Sequence, residues 1–162
     1  MKLAAPFALA ACFALGSCTS RPAVDRDARA ANVALGRRVF NEIYGGGDVS
    51  LVDELYTDDF VDDSPGGGKG RDLIKEAVAD FHKAFPDLSI DIEDVFAVDN
   101  NVVVRYSAHG TQTGPYGQIP PTGKVVTVRG ITIFQIVDGK ITTEWTEYDR
   151  LGVLRQLGIL PS

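Results

Sequence analysis

This chain of 162 residues has few side chains that could serve as nucleophiles or metal ligands. It contains two cysteines, Cys12 and Cys18, and two histidines, His82 and His109. Both cysteines fall within the first 18 residues, ahead of the predicted folded domain, so no thiol is left there for catalysis or a disulfide. Two histidines without a thiol are too few for a protein-built zinc site. The sequence therefore predicts no metal centre.

The chain also lacks an excess of basic residues. Its net charge is −6 at pH 7. The N-terminal segment that we expect to be removed contains one lysine and no acid, which leaves 15 basic and 22 acidic residues, or −7. A protein that binds a phosphate backbone needs a basic surface. Nucleic acid is therefore not an expected partner.

The apolar run Leu3–Leu15 follows Lys2 and is too short to span a bilayer, which is typical of the core of a signal peptide. The tetrapeptide Leu15-Gly16-Ser17-Cys18 resembles a bacterial lipobox, where the signal is cut before a cysteine that carries the lipid. This resemblance implies that residues 1–18 are a lipoprotein-type signal segment and that Cys18 is lipidated. The protein would be exported and anchored to the membrane of a bacterial cell envelope. The alternatives are ordinary secretory cleavage near Cys18 or an uncleaved apolar tail.

The rest of the chain is long enough for one domain with a hydrophobic core. Residues 19–32 are polar and aperiodic, so we expect a flexible tether, with the domain at 33–162. Apolar residues recur at helical spacing over 33–44, before a run of three glycines, and over 71–85, before Pro86. A second short helix is expected from a cap at Ser50 through Tyr56.

Strands are predicted where Val, Ile and Thr are enriched, and turn signals separate them. A short strand is expected around Phe60-Val61, and longer ones over 88–98, 101–112, 123–137 and 140–149. The pairs Asn100-Asn101 and Asp138-Gly139 indicate tight hairpins. Helices followed by an antiparallel meander predict an α+β fold, with the helices packed on one face of a curved sheet around an interior pocket.

Six short motifs follow one another in the chain: Phe85-Pro86-Asp87-Leu88, Gly110-Thr111-Gln112-Thr113-Gly114, Pro120-Pro121-Thr122-Gly123-Lys124, Gly139-Lys140-Ile141, Glu144-Trp145 with Asp149, and Gln156-Leu157-Gly158. In this order, over Val33 to Leu160, they resemble the SnoaL-like polyketide (ester) cyclases of the nuclear transport factor 2-like superfamily. The resemblance implies a cone-shaped α+β fold. It also implies an enzyme that closes a ring by intramolecular aldol condensation without a cofactor. Homodimers are usual for this fold.

Asp149 is the residue to which the resemblance assigns the acid/base role. Strand alternation places Trp145, Glu147 and Asp149 on one face, and Glu144, Thr146 and Tyr148 on the other. Burial beside Trp145 would raise the pKa of the acid toward a useful range. The alternative is that Asp149 only caps the short helix predicted from Arg150 to Leu157.

The other pocket candidates are Trp145, Gln112, Asp63, Tyr116, Tyr106 and His109. In the family, His often stands at the positions of Asp63 and Gln112, which changes what the site can donate at neutral pH. Tyr116 lies in the loop from Thr113 to Gly123 and is the candidate for a lid. The aromatic residues could instead be core. A bulge near Gly110 could decide whether the strand face of His109 or its opposite lines the pocket.

Three functions are consistent with these features. The first is a cyclase or isomerase that uses an Asp acid/base on a small hydrophobic carbonyl compound. The second is a non-catalytic, lipid-anchored protein that binds a small hydrophobic or aromatic molecule, which export outside the cytoplasm favours. The third is an epoxide hydrolase-like enzyme, disfavoured because no strand carries the Arg-x-Asp pair that such a site requires. Retention of the family motifs favours the first.

Overall fold

The computed structural model describes residues 26–161, where the first strand lies between the second and third α-helices, four more strands follow, and a short helix comes after the last strand. The signal segment, Cys18 and the tether up to residue 25 lie outside the described residues. Four α-helices lie within residues 26–161: α1 (Arg26–Arg38), α2 (Val52–Leu55), α3 (Asp72–Ala84) and α4 (Arg150–Gln156). A π-helical segment, Val39–Tyr44, continues α1, and a 3-10 turn, Val49–Leu51, precedes α2. Among these residues no helix is long and apolar enough to cross a membrane.

Two helix boundaries differ from those predicted. Helix α1 begins at Arg26, so it includes residues 26–32, which the sequence assigns to the tether. Alanine and arginine are good helix formers, and their density there explains the extension. The 3-10 turn before α2 is capped by Asp48, whose side chain accepts a hydrogen bond from the backbone N–H of Ser50. Ser50 is therefore not the cap, and Tyr56 already belongs to a strand.

Five strands form one sheet: β1 (Tyr56–Asp62), β2 (Ser89–Val98), β3 (Asn101–Thr111), β4 (Val125–Val137) and β5 (Lys140–Tyr148). Their order is β1-β5-β4-β3-β2, with β1 parallel to β5 and the other neighbours antiparallel. Asp99 and Asp138 adopt positive φ angles of 53° and 50° at the two hairpins. The first hairpin therefore turns one residue earlier than predicted. The α+β fold with a curved, unclosed sheet is confirmed.

The core lies between α1 with its extension and the inner face of the sheet. The ring of Phe40 lies 4.6 Å from that of Tyr106 and 6.1 Å from that of Phe134, measured between centroids. Val102 and Val104 of β3 are fully buried on the same face. Even-numbered residues of β3 therefore face the helices, and odd-numbered ones face outward.

A β-bulge in β5 determines which side chains of that strand face the core. Gln135 of β4 pairs with Thr143, but its neighbour Ile136 pairs with Ile141, so Thr142 is an extra residue without a partner. An extra residue reverses the alternation of side chains beyond it. Ile141 and Glu144 are consequently both buried although they are three positions apart.

Candidate functional site

An interior cavity of about 250 Å³ lies between α3, the π-helical segment and the inner face of the sheet. Most of its wall is aromatic or aliphatic. Among the residues that line it are Phe40, Phe81, Phe85, Tyr106 and Tyr116. Such a cavity binds small molecules when a few polar groups converge on it.

Glu144 is the buried acid of this cavity. It lies on the inner face of β5, lines the cavity and is 4% exposed. Its backbone C=O accepts a hydrogen bond of 2.9 Å from the N–H of Asp63, which ties β5 to the end of β1. Among residues 26–161, its Oε2 and the hydroxyl of Tyr56 are buried without a hydrogen-bond partner. A buried carboxylate that lacks a partner is costly, so the neutral acid is favoured.

The pKa of Glu144 is raised to about 8, from an ordinary 4.5. Burial is the main cause, because it penalises the charged form, and the charge of Asp62 acts in the same direction. The Tyr56 hydroxyl acts in the opposite direction, because it lies close enough to interact with the carboxyl of Glu144 although the two form no hydrogen bond of regular geometry. Glu144 therefore carries a proton at neutral pH and can donate it into the cavity.

Asp62 is the second acid in the cavity wall. It ends β1, where it lies beside Glu144 in the parallel register. Its Oδ1 accepts a hydrogen bond of 3.0 Å from the N–H of Ser64, and the side chain is only half-buried. The two carboxyl groups thus share one cavity but differ in burial, the kind of difference that separates an acid from a base.

Three tyrosines surround the buried acid. Burial raises the pKa of Tyr44 and Tyr56 well above the ordinary value, and raises the pKa of Tyr106 to about 12. In each case the charge of Glu144 is the second cause. These hydroxyls stay protonated at neutral pH, so they can donate hydrogen bonds but cannot act as bases.

Asp149 does not line the cavity. It is exposed and caps α4, where its Oδ1 accepts a hydrogen bond of 2.7 Å from the N–H of Gly152. Of the two alternatives that the sequence left open, the structure therefore shows the helix cap. The predicted place of Asp149 in the pocket is corrected, because the bulge at Thr142 turns the face of Asp149 away from the core.

Trp145 and Asp63 contact each other on the outside of the sheet. The indole Nε1 donates a hydrogen bond of 2.7 Å to Oδ2 of Asp63. Neither residue lines the cavity, which corrects their predicted place in the pocket. The same bulge accounts for Trp145. Asp63 follows Asp62 at the end of β1 and is exposed.

Gln112 is fully buried, but it faces a loop rather than the cavity. Its Nε2 donates to the carbonyls of Gly114 and Pro120 at 3.0 and 3.1 Å. Its Oε1 accepts from the N–H and the hydroxyl of Thr122 at 3.0 and 2.6 Å. The amide is thus occupied in holding residues 113–123 in place, and its predicted contact with a ligand is corrected.

Tyr106 and Tyr116 do lie in the cavity wall. Tyr116 packs edge-to-face on Phe85, with ring centroids 5.6 Å apart, so the loop reaches over one end of the cavity. His109 borders the cavity, but its ring contacts Thr127 and Asp91 at 3.2 and 3.1 Å. The imidazole therefore belongs to the outer face of β3, with Arg105 and Ser107.

Sequence reasoning missed both acids of the cavity, because it named Asp63 rather than its neighbour Asp62, and Asp149 rather than Glu144. Phe60 is buried, and strand alternation from it places Asp62 inward, so that signal was available. No comparable signal existed for Glu144, because the bulge that turns it inward depends on pairing with β4. Within residues 26–161, no group of three or more His, Cys, Asp or Glu side chains could hold a metal ion.

Comparison with known proteins identifies the family. The family model of SnoaL-like polyketide cyclases matches residues 34–157, so the chain belongs to that family. TsrD from Streptomyces laurentii is 30% identical, with a TM-score of 0.75 over 85% of this chain and 99% of TsrD. A proposed SnoaL-like polyketide cyclase from Jannaschia sp. CCS1 is 28% identical, with a TM-score of 0.75 over 82% and 95%. AclR, a proposed hydroxylase from Streptomyces galilaeus, is 25% identical, with a TM-score of 0.74 over 83% and 85%.

No match was found among curated protein sequences. The predicted family and fold are confirmed by the family model and the solved structures. Membership of this family indicates an enzyme of the cyclase or isomerase type.

Proposed function

We propose that this protein is a cofactor-independent cyclase or isomerase that acts on a small hydrophobic carbonyl compound inside the cavity. Glu144 is the general acid and Asp62 the general base. The main support for this proposal is the buried carboxyl of Glu144, one oxygen of which has no hydrogen-bond partner. It lies beside the more exposed carboxyl of Asp62 in a mostly apolar cavity.

The chemistry needs only these two groups and a shaped cavity. Asp62 removes a proton from a carbon between two carbonyl groups, which is acidic enough for a modest base. The carbon that has lost its proton attacks a second carbonyl of the same molecule, and Glu144 gives its proton to the oxygen of that carbonyl. One C–H bond and the π bond of the attacked carbonyl are broken, one C–C bond and one O–H bond are formed, and the proton on Asp62 then returns to Glu144. In an isomerisation, the proton goes back to a different carbon instead.

The apolar walls supply the rest of the rate enhancement. A flexible chain held in a folded conformation reacts as if its ends were at very high concentration. Phe40, Phe81 and Tyr106 line the space in which the chain would fold. The hydroxyls of Tyr44 and Tyr106, which line the cavity, can hold a carbonyl oxygen in place, since they stay protonated.

The experiment is untargeted liquid chromatography with mass spectrometry on a cell extract incubated with residues 19–162. Wild type is compared with Glu144→Gln and Asp62→Asn, and with Asp149→Asn as the matched carboxyl-to-amide control outside the cavity. We expect a compound that changes retention at constant mass with wild type and the control, but not with either cavity variant. Full turnover by Glu144→Gln contradicts the proposal.

Other mass changes would identify other reactions. A gain of one water indicates a hydrolase, and a gain of one oxygen indicates a hydroxylase, as AclR is proposed to be.

A second candidate function is a non-catalytic binding protein, which the lipobox-like motif at Cys18 favours because the protein would act outside the cytoplasm. Co-purification of one unchanged compound with wild type and Glu144→Gln would support it.

A further inference from the structure

We infer that the cavity takes uncharged organic ligands and rejects those that carry a carboxylate, and that Asp62 sets this selectivity. This selectivity belongs to the same cavity as the proposed function and rests on that proposal. It adds the charge class of the substrate and a residue that determines specificity.

The cavity wall contains acids but no strong base. Its carboxyl groups are those of Asp62 and Glu144, and no lysine or arginine is among its lining residues within 26–161. The His109 ring is occupied by Asp91 and Thr127 outside the cavity. Arg150 acts on Tyr116 at one end of the cavity, but its side chain is exposed and does not line the wall. A bound carboxylate would therefore find no cation.

The field of Asp62 reaches the cavity interior, because its charge acts on the carboxyl of Glu144. A ligand carboxylate near Glu144 would meet the same repulsion, and it would also lose its hydration on entering apolar walls. An uncharged ester or ketone avoids both costs. Its carbonyl oxygen can accept the proton of Glu144 as a hydrogen bond, which gives the buried acid the partner that it lacks.

A pair of matched ligands tests the inference by isothermal titration calorimetry at pH 7. Methyl 2-naphthoate is uncharged, and 2-naphthoate has the same rings with a carboxylate. Two fused rings suit the volume, since an apolar cavity of about 150 Å³ holds one benzene and this cavity measures about 250 Å³. We expect wild type to bind the ester at least about tenfold more tightly than the acid.

Two neighbouring aspartates supply the variants. Asp62→Asn removes the charge inside the cavity, and Asp63→Asn removes the same charge one residue away, outside it. We expect Asp62→Asn to lower the ester-to-acid affinity ratio by at least about threefold, with the hydration cost remaining, and Asp63→Asn to leave the ratio within about twofold of wild type. Thermal unfolding of both variants shows whether either has lost its fold. Asp62→Glu restores the charge if Asp62→Asn is unstable, and it should restore the discrimination.

Equal affinity of wild type for ester and acid overturns the inference, as does an equal effect of the two variants. Failure of wild type to bind either probe overturns it too. The proposed function fails separately, because binding of the probes requires no turnover. If Glu144→Gln keeps full turnover while the ester-to-acid ratio holds, the acid/base assignment is wrong and the charge selectivity stands.

Discussion

At the scale of single residues, Glu144 and Asp149 show how the environment of an acid determines its role. Glu144 is buried beside Asp62 and retains its proton. Asp149 is exposed and accepts a hydrogen bond from the backbone of α4. An acid in this position is held by the helix that it caps and does not face the cavity. The buried acid is therefore the better proton donor.

The raised pKa of Glu144 predicts how stability depends on pH. The folded state keeps a proton that the unfolded state releases above pH 4.5, until about pH 8. The free energy of unfolding contributed by this residue therefore falls as pH rises through that window, and it is level above it. The groups that face the carboxyl are Asp62, Tyr44, Tyr56 and Tyr106.

Glu144→Gln removes this titrating proton, so the variant should not show the fall in unfolding free energy that Glu144 contributes as pH rises. Relative to the variant, we expect wild type to lose on the order of 4 kcal/mol of unfolding free energy between pH 5 and pH 8. Urea unfolding at several pH values measures the difference, and other titrating groups cancel in the comparison. Parallel curves for the two proteins would show that Glu144 titrates normally.

At the scale of elements, helical periodicity predicted α3, enrichment in Val, Ile and Thr predicted the long strands, and turn dipeptides predicted both hairpins, the first within one residue, because each of these signals is local. Alternation also grouped Glu144, Thr146 and Tyr148 correctly on one face of β5. It could not tell that this face is the inner one, because the bulge at Thr142 exists only in the pairing of β5 with β4. The acids of the site were therefore visible in the sequence, but their direction was not.

Two substitutions of Asp149, the cap of α4, should differ in their effect on stability. Asp149→Ala leaves the N–H of Gly152 without its partner and should cost about 1 kcal/mol of stability. Asp149→Asn should cost much less, because asparagine is an equally good cap. Neither should change turnover. Thermal unfolding and the turnover assay together check this, and loss of turnover with an intact fold in both variants would return Asp149 to the active site.

The loop at 113–123 depends on one buried amide. Gln112→Glu replaces the donor to the carbonyls of Gly114 and Pro120 by an acceptor, so the loop should loosen at a cost of about 1–3 kcal/mol. Amide hydrogen exchange at Tyr116 and Ile119 should become faster. Gln118→Glu makes the same change at an exposed position of this loop and should alter neither quantity. Equal effects of the two substitutions would mean that Gln112 does not hold the loop.

At the scale of the whole molecule, the order of six short motifs predicted the family and the fold, and both are confirmed. Each motif occupies a place where the backbone turns, packs closely or ends an element, so together they describe a topology. They do not outline the whole cavity, which is lined by residues from α3, α4, the π-helical segment and all five strands. Only the assembled sheet shows that Glu144 faces inward, whereas the direction of Asp62 follows from alternation within its own strand.

Export and lipid anchoring are proposals that concern the whole chain. If Cys18 carries the lipid, Cys18→Ala should move the protein from the membrane fraction to the soluble or secreted fraction. Cys12→Ala, six positions earlier in the signal segment, should leave the distribution unchanged. Fractionation of cells followed by immunoblotting measures both. Retention of Cys18→Ala in the membrane would indicate an uncleaved apolar tail.

The central claim is that Glu144 keeps a proton inside the cavity at neutral pH. A ¹³C nuclear magnetic resonance titration of protein labelled at its glutamate carboxyl groups tests it most directly, with Glu144→Gln to identify the resonance. We expect that resonance to titrate with a pKa of about 8. A midpoint near the ordinary value of 4.5 would show that Glu144 is charged at neutral pH, and the assignment of the general acid would then be wrong.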